Sequence, residues 1–234
     1  MQFLESSVLG LRAACHVLTS PTIATPVTLY PMVHVGEARF YDALYQAALA
    51  HDVVLYEGVH SPIVTRLTRS YRWLGLSRLG LVVQPKLALT GGQARRVLAD
   101  VPPAQFQADW AKVPFAMRAL LNVASPLYGV IRGLTLTRAQ LAKGLNQNDL
   151  TSRADTLAWD RHTKHYLELI QTTRDAHLTA CLKAELTQST APPGPPASIG
   201  VIYGAAHMPA VTRFLAEFAQ YRVAESAWHT VFET

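Results

Sequence analysis

Short apolar runs alternate with longer stretches of helical spacing near the start of the chain. Residues 27–33 are rich in β-formers and predict a strand, and residues 37–50 have apolar positions at the spacing of a helix with one buried face. Residues 53–56 are continuously apolar, which is typical of a buried strand. The pattern over residues 3–18 predicts a helix. A strand–helix–strand unit is therefore expected over residues 27–57.

The same order of elements recurs near the other end of the chain. Residues 199–203 predict a strand, and residues 209–220 predict a helix that starts with a proline, which suits a first helical turn. Strands are predicted next at residues 221–225 and 228–232. A second strand–helix–strand unit therefore occupies residues 199–232.

Between the two units, residues 61–188 predict an inserted, mainly helical region. Its last part, residues 149–188, has the apolar stripe of one long helix, and a proline-rich loop follows at residues 191–196. Duplicated units of this kind usually form pseudo-symmetric halves of one sheet. We therefore expect an α/β or α+β fold with a central mixed sheet, in a single domain over residues 1–234.

The composition is that of an ordered globular protein. Half of the 234 residues are hydrophobic and 16% are charged, which is enough apolar surface for a substantial core. Cys15 and Cys181 lie far apart and lack the spacing of a metal or redox motif, which favours two thiols in a reducing compartment. No stretch reaches the roughly 18 apolar residues that a membrane span requires. We expect a soluble, cytoplasmic protein.

Charge is unevenly distributed along the chain. Residues 61–148 contain twelve Lys and Arg against Asp100 and Asp109, so this basic region carries +10 while the whole chain carries +5. A basic region can bind nucleic acid, an anionic membrane surface or an acidic substrate. Because no nucleic-acid-binding motif is present, no nucleic-acid partner is expected. A solvated helical face is the preferred interpretation, and peripheral membrane contact is the alternative.

Each unit places a histidine just after its first strand, in the same Tyr-x-x-x-His spacing, at His34 and at His207. The second strand of the first unit is followed by Glu57, and Glu225 holds the corresponding place in the second unit. In α/β sheets the turns beyond the carboxyl ends of the strands converge on the ligand site. We therefore expect both imidazoles at one place, with Glu57 beside them.

These residue types suit either a catalytic metal or a general base. Neutral imidazole is the commonest ligand of transition metals, so His34, Glu57 and His207 are candidate ligands of a divalent ion. A bound metal lowers the pKa of its water to about 7, and Glu57 could also deprotonate that water. Arg161, on the long helix, could neutralise an oxyanion. Without a metal, either histidine could be the general base, with Glu57 orienting it.

In these residues the chain resembles the TraB/PrgY/GumN and Tiki superfamily, which is related to ChaN-like proteins and erythromycin esterases. That family has two G-x-x-H motifs, one near each end, a glutamate after the second strand and an arginine on an intervening helix. The segment YGAAHMPAVTRFLAEF is similar to the second motif, DVVLYEGV to the glutamate-bearing strand and MVHVGEARFYDAL to the first motif. The segment DRHTKHYLELI is similar to the helix that carries the arginine.

The resemblance implies metal-dependent peptidase activity on a peptide or another amide or ester, with a divalent ion such as Mn, Co or Zn. It also implies that the two histidines and Glu57 bind or use the metal and that Arg161 supports the site. Two positions depart from the family pattern. Pro31 stands where the first G-x-x-H motif has glycine, and His162 follows Arg161 where the pattern has Asn or Asp.

Three functions are therefore open. The first is a metal-dependent hydrolase of the peptidase type, the second a metal-free hydrolase of the esterase type, and the third a non-catalytic module that binds an acidic partner or membrane surface through the basic region. Nucleotide and redox chemistry and a serine-hydrolase elbow are not indicated, because no G-x-G-x-x-G, Walker, C-x-x-C or G-x-S-x-G motif is present. H-E-x-x-H is also absent, which excludes a zincin-type metalloprotease.

Overall fold

The computed structural model describes residues 1–58, 76–87, 94–115, 118–119, 136–149, 161–189 and 198–234. Within these residues, helices pack on both faces of a central mixed sheet. The predicted α/β class is therefore confirmed.

The elements have the following bounds. In chain order the strands are β1 (Leu4–Ser7), β2 (Gly10–Thr19), β3 (Val27–Met32), β4 (Val35–Gly36), β5 (Val53–Tyr56), β6 (Val82–Val83), β7 (Arg95–Leu98), β8 (Ile199–Gly204) and β9 (Arg222–Glu233). The α-helices are α1 (Ala38–Leu49), α2 (Pro103–Lys112), α3 (Arg138–Asp149), α4 (Arg161–Ser189) and α5 (Met208–Ala219). Short 3-10 helices lie at Leu76–Leu79 and Ala205–His207.

The main sheet has a parallel centre. Strands β3, β8, β5 and β7 lie side by side in that order and run in the same direction. Strand β2 pairs antiparallel with β3 and with the short β1, and β9 pairs antiparallel with the other edge of β2. Strand β9 therefore runs in the same direction as β3 and β8. Strands β4 and β6 form a separate two-stranded sheet.

The two strand–helix–strand units cross the sheet in opposite directions. From β3 the chain passes through α1 to β5, beyond β8, whereas from β8 it passes through α5 to β9, beyond β3. Because such crossovers are almost always right-handed, opposite directions place α1 and α5 on opposite faces. Neighbouring strands β3 and β8 thus form a topological switch point, which is where α/β sheets bind ligands.

The core consists of one apolar layer on each face of the sheet. Alternation along β3 sends Tyr30 into the layer under α1 and Leu29 into the layer under α4 and α5. Helix α4 contributes Leu178, Leu182 and Leu186 to the second layer, and their spacing of four residues puts them on one face. This packing fixes the rotation of α4 and therefore the direction of its other side chains.

One sequence prediction is wrong on the β2 side of the sheet, and another is confirmed except that two predicted strands are continuous. Residues 3–18 form the hairpin of β1 and β2 instead of a helix. Strand β2 has strand neighbours at both edges and buried residues on both faces, so the alternation that identifies a strand is obscured. The strands predicted at residues 221–225 and 228–232 are one strand, β9. Glu225 consequently lies inside β9, exposed and opposite Val17.

The inserted region is not wholly helical. Strand β7 belongs to it and extends the main sheet beside β5, and β6 pairs with β4. The long helix is present as α4, and residues 150–160, at the start of its predicted range, lie outside the described residues. Across the described part of the chain, no helix combines the length and apolar character needed to cross a membrane.

Candidate active site

The turn after β8 holds His207 in a buried position. Residues 205–207 form a single 3-10 helix that leads directly into α5, and Pro209 lies in the first turn of α5. The His207 ring packs edge-on against Tyr203, with 4.9 Å between the ring centroids. Backbone and ring packing together give the imidazole a defined place at the carboxyl end of β8.

The carboxylate of Asp175 orients this imidazole. Asp175 Oδ1 lies 2.5 Å from His207 Nδ1. When Nδ1–H donates to the carboxylate, the neutral ring has its lone pair at Nε2. A carboxylate in this position also stabilises the imidazolium ion. The pair therefore has the arrangement of a general base and its orienting acid.

Arg174, the residue before Asp175, links the ends of two strands. Its Nη2 donates to Glu57 Oε1 at 2.6 Å and to Asp100 Oδ2 at 2.8 Å, and its Nε donates to Asp100 Oδ1 at 3.0 Å. The guanidinium also lies over the Tyr203 ring, 5.4 Å from its centroid. Within the described residues, Nε and Nη2 make the hydrogen bonds of this guanidinium, and Nη1 has no hydrogen-bond partner.

Two carboxylates at neighbouring strand ends hold Arg174 in place. Glu57 follows β5 and Asp100 lies just beyond β7, its parallel neighbour. The Asp100 side chain is fully buried and also accepts hydrogen bonds from the N–H groups of Gly58 and Val101. Glu57 Oε2 accepts the Gly204 N–H at 2.8 Å, which ties the end of β5 to the turn that carries His207.

The charges in the site fix the protonation of Glu57 and Arg174. Burial raises the pKa of Glu57, but Arg174, His207 and His34 outweigh burial and lower this pKa to about 2. Burial lowers the pKa of Arg174, whereas Glu57 and Asp100 raise it well above its ordinary value. Glu57 and Arg174 are therefore both charged at neutral pH.

His34 occupies the corresponding position after β3. Strands β3 and β8 end side by side, with Met32 opposite Gly204. The His34 side chain is exposed, and its backbone carbonyl accepts the Gln84 N–H at 2.8 Å. Because its charge contributes to the lowered pKa of Glu57, His34 lies within electrostatic reach of that carboxylate. Pro31, which replaces the glycine of the family motif, lies inside β3, not in the turn.

The structure thus places His34, Glu57 and His207 at one edge of the sheet, whereas Glu225 lies elsewhere, inside β9. Arg161 is the first residue of α4, and its side chain lies outside the described residues. At about 1.5 Å of rise per residue, its backbone is about 20 Å along the helix from Arg174. The arginine that contacts Glu57 is Arg174.

Sequence reasoning missed Arg174, Asp175 and Asp100. The motif has Arg followed by Asn or Asp. Arg174 and Asp175 have this order, whereas Arg161 is followed by His162. Asp100 ends the segment RVLAD just as Glu57 ends VVLYE, so a search for carboxylates after apolar strands would have found it. No local pattern indicates that Asp175 contacts His207.

The predicted ligands of a divalent metal can be compared with the contacts that these side chains make. Within the ranges that the structure describes, no group of three or more His, Cys, Asp and Glu side chains could hold a metal ion. Both oxygens of Glu57 accept hydrogen bonds, one of them from the cationic Arg174. A divalent ion on Glu57 would face the charge of that guanidinium. The hydrogen bonds on Glu57 therefore count against its role, beside His34 and His207, as a ligand of Mn, Co or Zn.

The basic region is described only in part, and some of its cations are paired internally. Arg95 forms an ion pair with Glu185, and Arg138 forms one with Glu37 at 3.1 Å. These pairs favour a structural role for part of the positive charge. Four further arginines of the region lie outside the described residues: Arg66, Arg69, Arg72 and Arg132.

No protein-family model, curated protein or solved structure matches the chain. The similarity to the TraB/Tiki superfamily therefore rests on the short motifs. The function is inferred from the positions and contacts of the side chains at the β3–β8 edge.

Proposed function

We propose that the protein is a hydrolase of amide or ester bonds in which His207 is the general base. The observation that carries this proposal is the 2.5 Å contact between His207 Nδ1 and Asp175 Oδ1. The contact makes Nε2 the basic nitrogen, at the sheet edge where α/β proteins bind ligands.

In the proposed reaction, His207 Nε2 takes a proton from water while the water oxygen attacks the acyl carbon. Asp175 stabilises the positive charge that develops on the imidazole. Arg174 Nη1 donates to the carbonyl oxygen as that oxygen becomes negative. The tetrahedral intermediate then collapses with cleavage of the C–N or C–O bond, and His207 returns its proton to the leaving amine or alcohol.

Glu57 and Asp100 position these groups. Both accept hydrogen bonds from Arg174, and Glu57 also accepts the Gly204 N–H at the start of the turn that carries His207. His34 is exposed at the end of the neighbouring strand, so we assign it to contact with the substrate. Among amides and esters, the family resemblance favours a peptide.

A cytoplasmic location belongs to the same proposal. Cys15 and Cys181 are both free thiols, as expected in a reducing compartment. Burial raises the pKa of Cys15 to about 12, so this thiol stays protonated and unreactive.

A metal-dependent peptidase is the second candidate. Histidines that bind a metal commonly donate their other N–H to a carboxylate, and the Asp175–His207 contact has that form as well. The hydrogen bonds on both oxygens of Glu57 count against this candidate.

Metal removal separates the two candidates. The full chain is chelated exhaustively, its metal content is measured by mass spectrometry, and hydrolysis of peptide 4-nitroanilides and 4-nitrophenyl esters is followed. We expect the chelated protein to keep its rate within about twofold, and added Mn, Co or Zn not to raise it. Activity that disappears on chelation and returns with one bound metal per chain would instead establish the second candidate.

The same preparations test the non-catalytic alternative. Binding to vesicles that contain anionic lipid, falling steeply as salt is added, would support it if no substrate is hydrolysed with or without metal.

A further inference from the structure

A second histidine–hydroxyl arrangement lies outside the candidate active site, between β2 and β9. His16 of β2 and Ser226 of β9 are directly opposite each other in the antiparallel pair. The Ser226 Oγ lies 2.7 Å from His16 Nδ1, and His16 Nε2 lies 3.0 Å from the Gln2 carbonyl oxygen. The His16 ring is buried, whereas Ser226 is exposed. A surface serine is therefore hydrogen-bonded to a buried histidine.

The two contacts fix the tautomer of His16. A carbonyl oxygen only accepts hydrogen bonds, so His16 Nε2 carries the proton and donates it to Gln2. In the neutral ring Nδ1 then has the lone pair, and the Ser226 hydroxyl donates to it. This is the order of nucleophile, base and orienting acceptor that activates a serine, with a carbonyl in place of the usual carboxylate.

The strand register turns the Ser226 N–H toward the open edge of the sheet. The Ala14 N–H donates to the Phe3 carbonyl on the β1 side of β2 at 2.9 Å. By alternation, the backbone groups of His16 also point away from β9. The His16–Ser226 pair is therefore of the non-hydrogen-bonded type, whose side chains lie close together.

This orientation leaves the Ser226 N–H available as an oxyanion donor. In the described residues β9 pairs with β2 alone, so the edge at Ser226 has no strand neighbour there. The backbone N–H of a nucleophilic serine can itself hold an oxyanion. Trp228 lies on the same face two residues on, 39% exposed, with Arg12 at 4.6 Å from its ring centroid. Its ring offers apolar surface for an acyl or aryl group.

We propose that Ser226 is a nucleophilic serine that accepts an acyl group from activated carboxylic esters. The bond from Ser226 Oγ to the carbonyl carbon forms and the ester C–O bond breaks. The hydroxyl proton passes to His16 Nδ1 and from there to the departing alkoxide or phenoxide. While His16 holds this proton, the Gln2 carbonyl stabilises its imidazolium. The products are an acylated serine and an alcohol or phenol.

Acetylation of the full chain by 4-nitrophenyl acetate at about pH 7.5 tests the proposal. Peptide mass spectrometry should locate one acetyl group at Ser226, Ser226→Ala should remove it, and His16→Gln should slow its formation at least tenfold. Ser6→Ala, in the neighbouring hairpin, is the matched control and should be acetylated at Ser226 like the wild type. His207→Gln should also leave this labelling unchanged, so the two proposals fail separately.

Absence of acetylation at Ser226 would overturn the proposal, as would equal labelling rates in the wild type and His16→Gln. Because His16 is buried, its substitution can unfold the protein. Circular dichroism therefore checks that His16→Gln is folded. If that variant is unfolded, the proposal is tested by comparing the acetylation rates of Ser226 and Ser6 in the wild type. Equal rates at these two serines would overturn the proposal, since only Ser226 has a base within 2.7 Å.

Discussion

The hydrogen bond between Asp175 and His207 decides which imidazole nitrogen is basic. An ionised Asp175 can only accept, so His207 Nδ1 donates to it, and in the neutral ring Nε2 then carries the lone pair. The adjacent Arg174 donates hydrogen bonds to the carboxylates of Glu57 and Asp100 at the strand ends. Two consecutive residues of one helix thus contribute the orienting acid and the oxyanion donor of the proposed reaction.

Asp175→Asn should lower kcat by about 10²- to 10⁴-fold and leave KM nearly unchanged. The asparagine amide can donate to Nδ1, which stabilises the wrong tautomer, but residue 175 does not contact the substrate in the proposed mechanism. The steady-state kinetics of peptide nitroanilide hydrolysis measure both constants. Asp42→Asn, at an exposed carboxylate of α1, is the matched control, and a kcat for Asp175→Asn equal to that of this control would count against the dyad.

Glu57 should make folding stability depend on pH. Its pKa is about 2 in the folded protein against 4.5 ordinarily, so its stabilising contribution is complete above pH 4.5 and is lost as the pH falls toward 2. The whole contribution is about 3 kcal/mol. Between about pH 6 and pH 3, the free energy of unfolding of the wild type should therefore fall by about 1–2 kcal/mol more than that of Glu57→Gln. Urea unfolding at each pH measures both values. An equal fall in unfolding free energy for both proteins would mean that the pKa of Glu57 is not lowered by its neighbours.

At the scale of elements, sequence pattern identified what is locally encoded. The continuously apolar VVLY of β5 and the spacing of Val211, Leu215 and Ala219 in α5 specify a buried strand and an amphipathic helix without knowledge of their partners. Strand β2 differs because both of its faces are buried by other parts of the chain. Its burial comes from tertiary contacts, so its sequence alone predicted a helix.

The same distinction separates the parts of the candidate site. His34, Glu57 and His207 stand directly after predicted strands, and the carboxyl ends of neighbouring strands meet at one edge. Arg174 and Asp175 lie in the middle of a long helix, and their direction depends on how α4 packs on the sheet. Only the tertiary structure supplies that rotation.

Leu182→Ala should destabilise the protein by about 2–5 kcal/mol. Leu178, Leu182 and Leu186 are fully buried and attach α4 to the sheet, so the substitution leaves a cavity under the helix that carries Arg174 and Asp175. Thermal and urea unfolding measure the change. Lys183→Ala, at the exposed neighbouring position, should cost less than about 1 kcal/mol, and an equal cost for both variants would show that α4 is not anchored through this stripe.

At the scale of the whole molecule, chain topology explains why distant segments form one site. The crossovers from β3 and from β8 leave in opposite directions, which is the topology at which α/β sheets bind ligands. His34 and His207 lie in these two turns, and Glu57 and Asp100 follow the next strands along the sheet. The duplicated pattern in the sequence indicated this edge, whereas the arginine and the orienting carboxylate come from the inserted region.

The rate at which His207→Gln hydrolyses a peptide 4-nitroanilide tests the central claim most directly. Both proteins carry Ser226→Ala, so that the proposed serine cannot contribute, and both are chelated and checked for folding by circular dichroism. Loss of the general base should lower kcat at least 100-fold relative to the protein with His207 intact. Equal kcat values in the two proteins would contradict the assignment of His207 as the base.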